Sequence, residues 1–319
     1  MFRKIIAEPG TLISVIGGKG GGGKTAVSVL LGYGLAQQKE RVVVVNYDLG
    51  NSSLNKYTNM EPDPRHSTGA LRRGAGLADA ALSKAGADFI LGSADIEDTQ
   101  AAYNSPHSYL NPLMQAILHR PPEYRYTIVD LQAGSTVFTV RFALLADVLL
   151  SVFPASDEEN VNIAAGQLKL LLGAYVSAGI AAYFPRVFVL ANHNKPGGLS
   201  GRQVKAKLES LIQTNGWEEK IGHSFLTGVF ELPYLPARSS GLFGRVQARL
   251  AELDLLERSL RQGEIPGPLR VPVDKVLAAL RTLPPSGLDA PGRYARMLAP
   301  YEQSVRNRNR NENRNITER

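Results

Sequence analysis

Short, unbroken apolar runs alternate with stretches of helical spacing along most of the chain. Residues 11–17 carry Leu12, Ile13, Val15 and Ile16, and residues 41–48 carry four consecutive valines, Val42 to Val45. Residues 88–93, 124–130, 148–153, 186–192 and 225–231 read as further strands. Runs that are apolar on both faces predict parallel strands buried between two layers. Between them, residues 26–38 place Val27, Leu30, Leu31, Tyr33 and Leu35 at helical spacing. A second helix is predicted over 109–119, stopped by Pro121 and Pro122. A third starts near Glu158. Its apolar stretch, Val161 to Phe184, contains Lys169 and ends at Pro185, which reads as a helix packed on a sheet rather than a membrane span. Pro62, Pro64 and Gly69 mark a loop, and residues 77–82 read as a short helix.

The pattern changes past residue 240. Residues 242–258 and 273–283 read as amphipathic helices, either packed on the sheet or a partner, or lying on a membrane. Pro284-Pro285 and Pro291-Gly292 precede a last short helix near 293–303. Residues 306–315 alternate Arg with Asn and hold no apolar residue to bury, so the tail is expected to be disordered. The expected fold is α/β: a doubly wound, mostly parallel sheet with helices on both faces, C-terminal helices and a tail. Residues 1–240 form the expected core, 241–304 the helical additions and 305–319 the tail.

Composition narrows the chemistry. The 319 residues include no cysteine, which excludes a disulfide, a Cys-ligated zinc or a Cys-ligated iron–sulfur cluster within this chain. The apolar run at Met1 to Ala7 is too short for a signal peptide, so a cytoplasmic location is expected. The formal net charge of +7 suits nucleic acid or an acidic membrane surface, though part of it lies in the Arg-rich tail.

Candidate chemistry concentrates after the first strand. Gly18 to Thr25 meets the spacing G-x-x-x-x-G-K-S/T between a predicted strand and a predicted helix, the context of a phosphate-binding loop. Gly18, Gly20, Gly21, Gly22 and Gly23 let backbone N–H groups turn inward as an anion nest, and the helix start adds its positive dipole end. Lys24 reaches β- and γ-phosphates, and the Thr25 hydroxyl is placed to ligate Mg²⁺. Lys19 is not required by that pattern. A second lysine at the mouth adds charge at the γ-phosphate, from its own subunit or a partner. Asp48 and Asp130 each end a predicted strand, where open α/β sheets bind ligands. Asp48 can orient water or hold a Mg²⁺-bound water, and Asp130 can accept hydrogen bonds from Mg²⁺-bound water. Gly134 can bring its N–H close to a γ-phosphate.

Lys19 to Thr25, Asp48-Leu49-Gly50 and Asp130 to Gly134 together resemble the deviant Walker A ATPases of the MinD, ParA and FlhG type, P-loop NTPases of the SIMIBI-like class. The resemblance covers residues 11 to about 240. It implies a core that binds ATP and Mg²⁺, with Ala26 counted in the nucleotide-binding loop. It implies that Lys19 and Asp48 are catalytic, with Lys19 reaching across an ATP-bound homodimer, and that Thr25, Asp48 and Asp130 serve the metal. Asn192 matches a family asparagine that reads the adenine edge, with Asn194 as fallback. Leu232 to Pro236 is similar to a proline-bearing loop near the base. Asn46 stands where MinD-like members have an aspartate, and Gln132 replaces the usual Pro or Gly of the switch. Leu49-Gly50 is similar to MinD and FlhG rather than ParA. The implied role is a dimerisation switch with slow, partner-stimulated ATP hydrolysis that positions or regulates a cell-surface or division machine. Two alternatives stand beside it: a ParA-like ATPase binding DNA non-specifically, and a non-catalytic nucleotide-dependent scaffold. Peripheral contact with the inner membrane or with DNA stays open.

Overall fold

A computed structural model of the chain describes residues 10–48, 53–104, 106–192, 198–232 and 256–283. Its strands are β1 (Thr11–Ile16), β2 (Val42–Tyr47), β3 (Leu82–Lys84), β4 (Ala87–Ile90), β5 (Tyr126–Leu131), β6 (Val148–Pro154), β7 (Arg186–Asn192) and β8 (Leu226–Leu232). They form one sheet in the order β3-β4-β2-β5-β1-β6-β7-β8. All neighbours are parallel except the β3–β4 hairpin. The chain starts at the interior strand β1 and winds outward in both directions, as the expected fold requires.

Helices cover both faces. On one lie α1 (Lys24–Gln37), α2 (Ser53–Thr58), α10, of which the described part spans 256–262, and α11 (Gly267–Arg281). On the other lie α3 (Thr68–Arg72), α5 (Pro106–Leu118), α6 (Val137–Leu145), α7 (Glu158–Ser177), α8 (Gly201–Thr214) and α9 (Trp217–Ile221). A further helix, α4 (Ile96–Asn104), packs beside α5. Strand side chains point alternately to the two layers. Val42 and Val44 join the α1 layer, while Val43, Val45 and Tyr47 join the α7 layer. Both faces of β2 are buried, and its sequence is continuously apolar up to Asn46.

Some elements differ from the sequence reading. Residues 77–82 are not a helix. Residues 77–80 form a turn and Leu82–Lys84 is β3, paired antiparallel with Ala87–Phe89. Ala85 and Gly86, both at positive φ (50° and 82°), close this hairpin. The alanines before it favour helix locally, but edge pairing with β4 prevails. Residues 68–72, read partly as loop, form α3, and α2, α4, α6, α8 and α9 were not anticipated. The C-terminal helix read from Val273 begins at Gly267 and runs through Pro272. Burial of Leu269, Val273, Val276, Leu277 and Leu280 outweighs the one backbone bond that proline removes. The readings of Leu49, Gly50, Asn194, the loop 233–236, residues 242–255 and 293–303 and the tail lie outside the described residues. Among the described residues, no helix is long and apolar enough to cross a membrane.

Candidate functional site

The glycine loop lies between the end of β1 and the start of α1. Gly23 caps α1 at φ 92° and offers no side chain to the first-turn N–H groups. Helices of this fold start both ways, and α3, α9 and α11 also lack a side-chain cap. Thr136, Asp157 and Ser200 each cap their helices through a side-chain oxygen. The open amides at the start of α1 are therefore available to an anion, with the helix dipole behind them. Gly18 permits a close approach. A Cβ there would lie 2.1 Å from Ile163 Cγ2 on α7. Gly20 and Gly21 face open space. Lys24 is buried, its stem packed beside Gly17, where a Cβ would meet Lys24 Cδ at 3.0 Å. Ala26 is buried in the first turn.

Asp130 ends β5 next to β1 and points into the α1 layer. It is 1 % exposed. Ser28 Oγ lies 3.1 Å from the Lys24 carbonyl and 3.2 Å from Asp130 Oδ1, sharing one proton between two acceptors. Asp130 Oδ2 is buried without a hydrogen-bond partner among the described residues. Burial pushes the carboxyl pKa up to about 6, against the opposing pulls of the Thr25 hydroxyl, the Lys24 ammonium and the Ser28 hydroxyl; Asp48 adds repulsion. An unpaired, buried carboxylate oxygen beside Thr25 fits the coordination sphere of Mg²⁺, either directly or through a bound water. Mg²⁺ there would neutralise charge on the β- and γ-phosphates.

Asn46 faces Asp130 across the β2–β5 register. Its Oδ1 accepts from the Asp48 N–H at 3.0 Å, which holds the start of the Asp48 loop. A side chain at Gly92 would crowd Asn46 Nδ2, at 2.8 Å. Asp48 is half-buried at the same carboxyl edge.

The loop after β5 is tied down at Gly134, whose φ is 89°. Its N–H donates to the Gly17 carbonyl at 2.9 Å, and its carbonyl accepts from Gln167 Nε2 at 3.0 Å. Gln132 contributes its carbonyl to the Thr139 hydroxyl. Lys19 pairs with Glu159 at 3.2 Å, with both side chains substantially in solvent, so the pair is weak and exchangeable. Asn192, at the end of β7, donates through Nδ2 to the Gly22 carbonyl at 3.1 Å. It thus lies against the glycine loop, where a Cβ at Gly23 would meet it at 2.7 Å.

The fold therefore gathers Gly18 to Ala26, Asp48, Asp130, Gly134 and Asn192 at one edge of the sheet. Sequence reasoning did not single out Ser28, Glu159, Ile163 or Gln167. Ser28 was findable, since it stands four residues after Lys24 on the same helical face. The other three sit on α7 and meet the loops only through tertiary packing.

Known proteins resemble this chain. The cytosolic Fe–S cluster assembly factor cfd1 of Emericella nidulans is 24% identical over 224 residues, 64% of this chain. The chain spans 63% of the length of that relative. Among solved structures, an ATP complex of a McdA variant from Cyanothece has TM-score 0.60 at 17% identity, covering 87% of this chain and 98% of its own. The septum site-determining protein MinD of Pyrococcus horikoshii, complexed with Mg-ADP, has TM-score 0.54 at 15% identity, covering 85% and 97%. These two likenesses concern the fold. The model of the CobQ/CobB/MinD/ParA nucleotide binding domain matches residues 13–262, and the chain belongs to that family.

Proposed function

We propose that the chain binds ATP with Mg²⁺, hydrolyses it slowly and uses the triphosphate state to dimerise as a switch of the MinD/FlhG type. The observation that carries this is the uncapped start of α1 beneath Gly18 to Gly23, with buried Lys24 on one side and the unpaired Asp130 oxygen on the other. In this reading the loop amides and Lys24 bind phosphate, while Thr25, Asp48 and Asp130 hold the metal and its waters. Asp48 orients the attacking water. Lys19 leaves Glu159 and reaches the γ-phosphate of a second copy. Asn192 leaves the Gly22 carbonyl to meet the base. The Asp48 and Gly134 loops order on the triphosphate and relax when the γ-phosphate departs. The dimer then recruits a protein partner, an activator or the machine to be positioned.

Phosphate release from Mg-ATP, compared with an Asp48→Ala control, tests the reading. Release from the native protein above the control supports it. Equal release supports a nucleotide-dependent scaffold, a reading to which Asn46 and Gln132 lend weight as departures from the MinD-like pattern. The net charge of +7 favours a second reading, a ParA-like DNA-binding ATPase. Salt-dependent retention of non-specific duplex in a gel shift would support it, and no retention at low salt would sink it.

A further inference from the structure

One face of α7 meets three of the loops that surround the phosphate cradle. Glu159, Ile163 and Gln167 are four residues apart, so they lie in a row along that face. Glu159 pairs with Lys19 at 3.2 Å. Ile163 packs where a Cβ on Gly18 would stand, 2.1 Å from its Cγ2. Gln167 Nε2 donates to the Gly134 carbonyl at 3.0 Å. A single rigid helix thus touches the extra lysine, the entrance of the glycine loop and the loop after β5.

Gln167 is the unusual member of the row. It is 4 % exposed, so its amide is cut off from water. Its Oε1 has no partner among the described residues, which leaves the amide held there by the bond to Gly134 alone. A buried amide with one half unpaired destabilises the fold relative to an apolar residue of the same shape. Stability therefore does not explain the amide. The bond it makes does something specific. Gly134 sits at φ 89°, a conformation glycine adopts as readily as negative φ, and it is pinned from two sides. Its N–H is held by the Gly17 carbonyl, the bond a γ-phosphate would have to replace. Its carbonyl is held by Gln167. When the N–H changes acceptor, the carbonyl bond can persist as the pivot.

We infer that Gln167 is a positioning residue that holds the Gly134 peptide in register for a γ-phosphate and so sets how well the site tells ATP from ADP. The inference rests on the ATP-binding reading above. ADP has no phosphate to reach Gly134, so its binding depends on the glycine loop and Lys24 but not on Gln167.

The test uses the full chain with two replacements, Gln167→Met, which keeps the volume and removes the donor, and Gln167→Glu, which keeps the shape and presents acceptors instead. Fluorescent ADP and a slowly hydrolysed fluorescent ATP analogue are titrated with Mg²⁺. Both variants are expected to keep ADP affinity within about twofold while losing about fivefold or more of the preference for the triphosphate, a coupling of ordinary size. A purely structural role would weaken both nucleotides in parallel and overturns the inference, as does an unchanged preference. Amide exchange of nucleotide-free protein gives an independent readout. Faster exchange at residues 132–136 in Gln167→Met than in the native chain is expected, and equal protection contradicts the inference. If the native chain binds neither nucleotide, the ATP-binding reading fails and this inference with it. If it binds both and only the variants fail to show a changed preference, the inference alone falls.

Discussion

Asp130 is the residue on which the site's electrostatics turn. Its carboxyl is desolvated and one oxygen is unpaired, and burial raises its pKa from 3.8 to about 6. Between those two values the folded chain binds more protons than the unfolded one, so this group's contribution to stability declines as pH rises through that window and stays lost above it. Asp130→Asn removes the ionisable group. In nucleotide-free protein it is expected to raise the unfolding free energy at pH 7.5 by on the order of 2 kcal/mol, with little gain below about pH 4. Urea denaturation at the two pH values checks this, and an equal gain at both would contradict the assigned cause. Mg²⁺ and nucleotide should reverse the ranking, because the native carboxylate then has a partner. At this scale the sequence was informative where chemistry is written into spacing. Lys24, Thr25 and Asp130 could be picked out because a loop motif and a strand end specify them. Glu159 and Gln167 could not, because their partners Lys19 and Gly134 lie 140 and 33 residues away and meet them only once α7 has docked.

At the scale of elements, the close packing of α7 against the glycine loop has a measurable consequence. Gly18→Ala would place a methyl group 2.1 Å from Ile163 Cγ2. It is expected to destabilise the fold by about 1–3 kcal/mol and to weaken nucleotide binding, and Gly18→Ala combined with Ile163→Ala should recover part of both. Thermal denaturation and titration of the single and double variants test this; strictly additive losses would argue against the contact. The C-terminal helix offers a second case. Leu277 is fully buried in the α1 layer, and Gly34 of α1 has no room for a side chain beneath it. Leu277→Ala is expected to cost about 2–5 kcal/mol in a denaturant titration; a loss under about 0.5 kcal/mol, the range of surface substitutions, would contradict core burial. Strands buried on both faces were legible because apolar residues dominate them, with only single polar positions such as Ser14, Thr127 and Ser151 inside. The helices α2, α4, α6, α8 and α9 were not, because their patterns are short or weak and their boundaries depend on caps such as Ser200 with Gln203. The C-terminal helix starts at Gly267 rather than at Val273, because the buried leucines and valines on both sides of Pro272 carry it through that residue.

For the whole molecule, the family assignment fixes a nucleotide-binding core, and the proposed dimer gives Lys19 its purpose. Its exposed pair with Glu159 costs little to break, so it can be exchanged for a phosphate contact. Lys19→Ala is expected to retain nucleotide binding while losing the part of the ATPase rate that rises with protein concentration. Size exclusion of Asp48→Ala with Mg-ATP should show a dimer that Lys19→Ala weakens; a monomer in both would remove the cross-subunit role. All of this depends on the cradle at the head of α1 gripping a triphosphate. Isothermal titration of Mg-ATP into the native chain and into Lys24→Ala tests that most directly. Saturable binding near one nucleotide per chain, absent in a folded Lys24→Ala protein, is the expected result. Equal affinity in the two proteins, or no binding to the native chain, would contradict it.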